Sequence, residues 1–330
     1  MFGGGVSECK EIHDRKFWLG AHVALFLLAA VWYDTITPGL QDPSPTSSRS
    51  HLARVRRRGY IATVTDTADQ TEPFAHRAGA LEVRLATSDI EIAAAQRLRY
   101  RIFFEEEGAR ASEEARVSGL DIDVYDSVCD HLLVFDHAQA GAPVVGTYRL
   151  LRQDVAARHG GFYSAGEFDL GPLLAGAGTG LQLLELGRSC VAAAYRDAPT
   201  ISLLWRGVAS YLKAHGIGHM FGCGSLHGVD VGEHARSLAY LHHHHLAPPE
   251  LRAYAWNRGR VETDLLTVGS YDARAAARAL PPLIKGYLRV GAMIGDGGSV
   301  DRDFNTIDVF VIMPVDRITE RYAARYMKAD

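Results

Sequence analysis

The sequence predicts a mixed α/β domain organised around one sheet, and three observations carry that reading. Six short runs read as strands, Leu81–Leu85, Asp130–Phe135, Val144–Arg152, Leu181–Val191, His219–Leu226 and Asp308–Met313, with period-two alternation at the first and at Leu181–Val191. Other stretches repeat on the helical period. The order is strand, helix, a run of antiparallel strands, then strand, helix, strand, helix. No GxGxxG follows the first strand and no Walker loop occurs, so a dinucleotide fold is not indicated.

Composition sets outer bounds. The chain has 330 residues, 47% of them hydrophobic and 22% charged, enough for one large core with an appendage. A net charge of −4 gives no sign of bulk nucleic-acid binding. The four cysteines, Cys9, Cys129, Cys190 and Cys223, form no CxxC pair. Their spacing fits neither a zinc site nor a disulfide framework, and reduced cytosolic thiols are expected.

In chain order, residues 1–40 read as an N-terminal extension. Phe17–Tyr33 is an uncharged, mostly apolar run at the short end of what spans a bilayer, with Trp18, Trp32 and Tyr33 at its ends. Arg49, Arg54, Arg56, Arg57 and Arg58 follow it, which places the C-terminal domain in the cytoplasm, anchored at or peripheral to the inner membrane. An extension translated ahead of a later, non-Met start is the competing reading. A cleaved signal peptide fits less well, since no small-x-small exit precedes Asp34. Residues 41–80 are rich in Pro, Ser, Thr and Arg without a period and read as a disordered linker.

The folded domain is expected over 81–330. Leu81, Val83 and Leu85 form its first strand. Ser88 and Glu91 make a capping box for a helix with Ile92, Ala95, Leu98 and Ile102 as its apolar stripe. Asp130–Phe135 and Val144–Arg152 are the arms of a hairpin. A loop with Gly160, Gly161 and Gly166 leads into the strand 181–191. Ile201, Leu204, Val208 and Leu212 line the next helix, which Gly216 closes. His219–Leu226 is a strand, Glu233–Leu241 a helix running into His242–His245, Ala275–Ala279 a helix that Pro281 and Pro282 break, Asp308–Met313 a last buried strand and Ile318–Met327 a last helix.

Charge on apolar elements marks the candidate chemistry. Arg99, Asp123 with Asp126, Arg149, and Glu185 with Arg188 all sit on stretches that otherwise look like core. Desolvating a charge costs several kcal/mol unless it is compensated. A shared ion-pair network beside a cleft accounts for all of them, although such a network is as often structural as functional.

Val144-Val-Gly-Thr-Tyr-Arg-Leu-Leu, Glu185-Leu-Gly-Arg-Ser-Cys-Val, Leu204-Trp-Arg-Gly, Phe221-Gly-Cys-Gly-Ser-Leu and Pro281-Pro-Leu-Ile-Lys-Gly-Tyr-Leu-Arg resemble the bacterial L-ornithine Nα-acyltransferases, from about Leu81 to Tyr326. The charged set also resembles the pattern of acyl-homoserine-lactone synthases, falling on Arg99 with Phe103, Asp123 with Asp126, Arg149, and Glu185 with Arg188. The resemblance implies a GNAT acyltransferase fold. It also implies transfer of a 3-hydroxyacyl group from acyl carrier protein to the α-amine of L-ornithine, giving lyso-ornithine lipid as a membrane lipid product. CoA-dependent members of the fold carry a glycine-rich pyrophosphate loop after this strand, whereas this chain has Ala192-Ala-Ala-Tyr-Arg-Asp-Ala-Pro199. That favours the phosphopantetheine of a carrier protein as donor, with no other cofactor.

On this reading Glu185 is the base, directly or through water, and Arg188, Arg149 and Arg99 hold the network and the substrate carboxylate. Asp123 and Asp126 offer charge to the ammonium groups, and Phe103 belongs to the substrate-binding set. Lys285 and Arg289 are further candidates for the substrate carboxylate or the carrier's phosphate. No metal is expected: His242–His245 cannot all point at one ion from a helix. Cys190 reads as a small buried residue rather than a nucleophile. Acylation of another amino acid or of homoserine is the rival within the fold. A non-catalytic, membrane-tethered protein that binds acyl carrier or lipid is the rival outside it. Strict alternation puts Glu185 and Arg188 on opposite faces, so a shared site requires an irregularity at 186–188, which Gly187 would permit.

Overall fold

A computed structural model describes residues 74–176 and 181–318. The run Phe17–Tyr33, the linker up to residue 73 and the expected helix beyond Ile318 lie outside the described residues. Among the described residues no helix is long and apolar enough to cross a membrane.

The strands are β1 (His76–Ala78), β2 (Leu81–Leu85), β3 (Asp130–Asp136), β4 (Val144–Arg152), β5 (Phe168–Asp169), β6 (Gln182–Val191), β7 (Ile217–His227), β8 (Tyr254–Ala255), β9 (Arg260–Val261), β10 (Met293–Asp301) and β11 (Thr306–Pro314). They form one sheet in the order β1-β2-β3-β4-β6-β7-β11-β10-β8-β5, with β9 on β10. The longer helices are α1 (Asp89–Tyr100), α2 (Ala198–Ala214), α3 (Val231–His245), α4 (Ala273–Ala279) and α5 (Pro282–Val290). β1 pairs with β2, so the sheet begins inside the stretch that reads as linker.

Local chemistry explains the elements. Ser88 caps α1 by accepting the Glu91 N–H. Glu91 departs from a simple capping box, because its carboxylate takes the Thr87 N–H at 2.7 Å and pairs with Arg84. Asp197 caps α2 through the Thr200 N–H at 3.0 Å, and Pro199 fills the first turn, where a missing donor is no loss. Pro282 starts α5 in the same way.

Alternation along the central strands divides the core. On one face Leu132, Leu150, Leu184, Met220, Val309 and Val311 pack against α2 and α5. On the other, Leu151, Leu183, Phe221, Phe310 and Ile312 pack with Phe162 and Phe168, and α1 lays Ala95 against Leu133 and Phe135.

Two strands meet and part at the centre. β6 and β7 run parallel and pair from Gln182↔Ile217 to Glu185↔Phe221. Beyond that point β6 stays with β4 and β7 with β11. The sheet therefore opens at Leu186, and Leu186, Met220, Gly222, Tyr287, Val311 and Met313 are among the residues lining an apolar cavity there.

Candidate active site

The expected irregularity is present, one residue further along. Arg149 of β4 lies opposite Gly187, but Thr147 lies opposite Cys190. Arg188 and Ser189 thus share the place facing Tyr148, which is a β-bulge. The left-handed backbone falls on Arg188 (φ 49°) and not on Gly187. A non-glycine residue held there is strained, and such strain concentrates at functional sites. The bulge turns the Arg188 side chain to the face that Glu185 occupies.

On that face an ion-pair lattice assembles from distant segments. Arg99, from α1, gives Nε to Asp121 at 2.8 Å and forks both terminal nitrogens onto Asp126 at 2.8 and 2.9 Å. Its Nη2 also donates to the Asp121 carbonyl. Arg149 reaches Asp123 at 2.5 Å and Asp126 at 3.2 Å. Arg188 reaches Asp121 at 3.1 Å and Asp123 at 3.3 Å. Three guanidinium groups face three carboxylates, so the lattice balances its own charge. Burial pushes the Asp126 carboxyl up, but the Arg99 guanidinium and the Asp123 N–H outweigh it and hold the group well below its usual range.

Exposure grades outward. The Arg99 side chain is 0% exposed, Arg149 4%, Arg188 13% and Asp123 21%. Arg99 and Asp126, expected among the substrate-binding residues, lie at the buried centre of the lattice, where Arg99 makes four hydrogen bonds and both Asp126 oxygens accept more than one. Arg188 and Asp123 form its outer rim. Arg188 also lies over the rings of Phe304 at 4.7 Å and Tyr163 at 5.1 Å. Phe103 stands behind, edge-on to Phe304 at 5.9 Å, as a wall and not a contact of the lattice.

Glu185 is 4% exposed. Its Oε2 accepts the Tyr163 N–H at 2.8 Å, and its Oε1 accepts the Ser164 N–H at 2.7 Å and the Ser164 hydroxyl at 2.5 Å. These donors open the helical turn Tyr163–Gly166, so the carboxylate caps that turn from another strand. Burial raises its pKa, and the Ser164 and Tyr163 donors oppose the rise. Tyr163 links Glu185 to Arg188, since its hydroxyl lies 3.4 Å from Arg188 Nη1.

Lys285 and Arg289 are elsewhere. Both sit on α5, on the opposite face of the sheet, and line a cavity with Tyr240, His245 and Arg278. They stand apart from the lattice, and α5 presents Tyr287, whose hydroxyl meets that of Tyr148 at 3.2 Å, to the apolar opening. Cys190 is core, packed with Leu98 and Ile102. The histidine tract ends α3, with His242 on Thr263 and His243 on Asp264 and Tyr271.

Sequence reasoning missed Asp121, Tyr163, Ser164 and Phe304. Asp121 opened the same acidic run as Asp123 and Asp126, so the spacing held a signal for it. Tyr163 and Ser164 lie in a glycine-rich loop with none.

Residues 98–206 match the acetyltransferase (GNAT) domain, the segment from the last turn of α1 through the lattice to the first half of α2. The chain is 47% identical to the L-ornithine N(alpha)-acyltransferase of Agrobacterium fabrum over 81% of its own length and 92% of the relative's. It is 49% identical to the enzyme of that name from Rhizobium meliloti over 74% of its length and 84% of the relative's. Among solved structures the AHL synthase LasI is similar at 14% identity and a TM-score of 0.39, covering 71% of this chain and 90% of that one.

Proposed function

The chain belongs to the L-ornithine N(alpha)-acyltransferase family, and from that premise we propose how its site acylates ornithine. The enzyme transfers a 3-hydroxyacyl group from acyl carrier protein to the α-amine of L-ornithine, the first step toward ornithine lipid. The observation that carries this reading is the junction at Glu185. A charged lattice with a guanidinium rim, suited to an amino acid, meets an apolar opening suited to an acyl thioester where β6 and β7 part.

The amine must reach the thioester carbon deprotonated, and the tetrahedral oxyanion needs donors. A carboxylate has about four lone-pair sites. Glu185 uses three of them, and the one left on Oε2 takes the amine proton directly or through a water. Burial raises the basicity of that carboxylate. Arg188 receives the amino-acid carboxylate at the rim, Arg149 and Arg99 hold Asp123, Asp121 and Asp126 in place behind it, and Asp123 faces the incoming amine.

Support for a carrier-bound donor comes from the start of α2. A helix N-terminus that receives a pyrophosphate offers free N–H groups and positive potential. Here Asp197 already holds the Thr200 N–H and Pro199 supplies no N–H. A phosphopantetheine thioester needs no pyrophosphate site there.

Purified protein with L-ornithine and either 3-hydroxyacyl carrier protein or the matching acyl-CoA tests the reading. N-acyl-ornithine should form from the carrier thioester at least about tenfold faster than from CoA. Equal rates would remove the carrier from the account, and no N-acyl-ornithine from either donor would remove the activity.

A further inference from the structure

Past the Tyr163–Gly166 turn lies a second acidic group that the lattice does not use. Glu167, Cys223 and Asp308 each bring one oxygen or sulfur within 4.8 Å of the others. Asp308 is 6% exposed. Its Oδ1 is buried without a hydrogen-bond partner, and so is Oε2 of Glu167. Among the described residues neither carboxylate forms an ion pair with an arginine, lysine or histidine, whereas Asp121, Asp123 and Asp126 all do. Two carboxylates facing each other out of water without a cation are unfavourable as they stand. Burial, and then the charge of the partner carboxylate and of Asp301, push Glu167 up. Burial and Asp301 push Asp308 up, with the hydroxyls of Ser225 and Thr306 offsetting part of the rise.

We propose that Glu167 and Asp308 form the subsite for the δ-ammonium of ornithine and so select a diamino acid over its uncharged analogues. The inference rests on the proposed activity. It also supplies what the lattice lacks, since Asp126 has no acceptor left for an ammonium group. The pair is joined to Glu185 through Ser164 and Cys223. The Ser164 hydroxyl bonds Glu185 and lies 3.5 Å from Cys223 Sγ, which belongs to the acidic group. The four carbons between the two amines of ornithine, Cα and three methylenes, span roughly 6 Å when extended, so one ammonium can sit between Glu167 and Asp308 while the α-nitrogen reaches Glu185. Cys223 also lines the apolar opening, and its thiol is pushed well above its usual range by burial. It therefore meets the methylenes as a neutral, apolar surface. That favours an alkylammonium over a divalent ion, which would need a thiolate or a third hard ligand there.

The test compares L-ornithine with L-norvaline, which has the same carbon chain without the δ-amine. Specificity constants are measured with a fixed acyl donor in the full-length enzyme and in the Glu167→Gln and Asp308→Asn variants. The wild type should favour ornithine by about 10³-fold or more, and each variant should bring the ratio to within about tenfold, chiefly through the KM for ornithine. Glu167 is only half-buried, so its variant decides the matter if Asp308→Asn does not fold. An unchanged ratio, or equal losses on both amino acids, would overturn the subsite. So would a stoichiometric divalent metal in the wild type, found by elemental analysis and lost in Asp308→Asn. A wild type that acylates neither amino acid removes the proposed activity and this inference together, an outcome distinct from any seen only in the variants.

Discussion

Glu185 has one lone pair to spare, and its substitution tests both of its roles. Glu185→Gln puts an amide N–H against the Tyr163 or Ser164 N–H, because the donors occupy both oxygens. That clash should cost about 1–3 kcal/mol, measured as a lowered urea midpoint with an unchanged slope. If Glu185 is the base, turnover should also fall about 10²–10⁴-fold, and the acid limb of the pH–rate profile should vanish. A purely positioning carboxylate would lose turnover and keep that limb. Arg99 is the contrasting case. Arg99→Ala takes the two-pronged partner from buried Asp126, leaving it only the longer Arg149 ion pair at 3.2 Å, and unpairs one side of Asp121; it should cost about 3–5 kcal/mol. Asp123→Asn, at the exposed rim, should cost well under half of that while losing more turnover per unit of stability. Arg99, Arg149, Asp123, Asp126, Glu185 and Arg188 stood out in the sequence because charge on apolar elements needs a partner. Which of them touch substrate was not legible there, since exposure is set by how segments distant in sequence stack. Glu167 and Asp308 gave no signal at all. One follows a glycine-rich loop and the other opens a buried strand, and only folding brings them together.

At the scale of elements, the opening between β6 and β7 depends on two glycines with opposite demands. A Cβ on Gly222 would sit 2.3 Å from the Leu186 carbonyl oxygen, a backbone atom that cannot step aside. Gly222→Ala should therefore force the two strands apart where they separate, costing about 1–3 kcal/mol or more and spoiling the apolar opening. At Gly187 the nearest atom to a new Cβ is Arg149 Nε at 4.0 Å, so Gly187→Ala should fold with a Tm within a few degrees of wild type and narrow only the site. Thermal melts of the two variants, side by side, check this. The strand at 182–191 and its irregularity were readable from alternation interrupted by Glu185 and Arg188. The residue that takes the left-handed turn was not, because a bulge within an antiparallel pair is fixed by register against β4. β10 escaped notice for a related reason. Its Met293-Ile-Gly-Asp-Gly-Gly-Ser-Val-Asp301 is rich in glycine, which carries no alternation. The glycines are there for space: a Cβ on Gly295 would meet the Ala253 carbonyl oxygen at 2.7 Å.

At the scale of the whole molecule, two sets of carboxylates pull the pH dependence of stability in opposite directions. Asp126 is held below its usual range, so it stabilises the fold above the ordinary carboxylate range and that contribution is lost as pH falls. Glu167 is raised, with Asp308, Asp301 and Cys223 facing it and Arg188 nearby. The folded state therefore gains most while Glu167 keeps its proton, and loses stability as pH rises above the ordinary carboxylate range. Glu167→Gln should raise Tm by about 2–4 °C near pH 8 and by less near pH 5, a trade of stability for function. Saturating ornithine should shrink that difference by stabilising the wild type more. The mixed sheet and its helices were legible because short apolar runs bounded by turn residues differ in length, as well as period, from the longer stretches with one apolar stripe. The membrane-facing N-terminal reading concerns residues outside those the structure describes. In the proposed mechanism one site, centred on Glu185, acylates the α-nitrogen of ornithine. Tandem mass spectrometry of the product from L-ornithine and 3-hydroxyacyl carrier protein tests it most directly. A single product with the acyl group on the α-nitrogen and a free δ-amine should form in the wild type and fall at least about 10²-fold in Glu185→Gln. A δ-acylated product, or undiminished α-acylation by the variant, would contradict it.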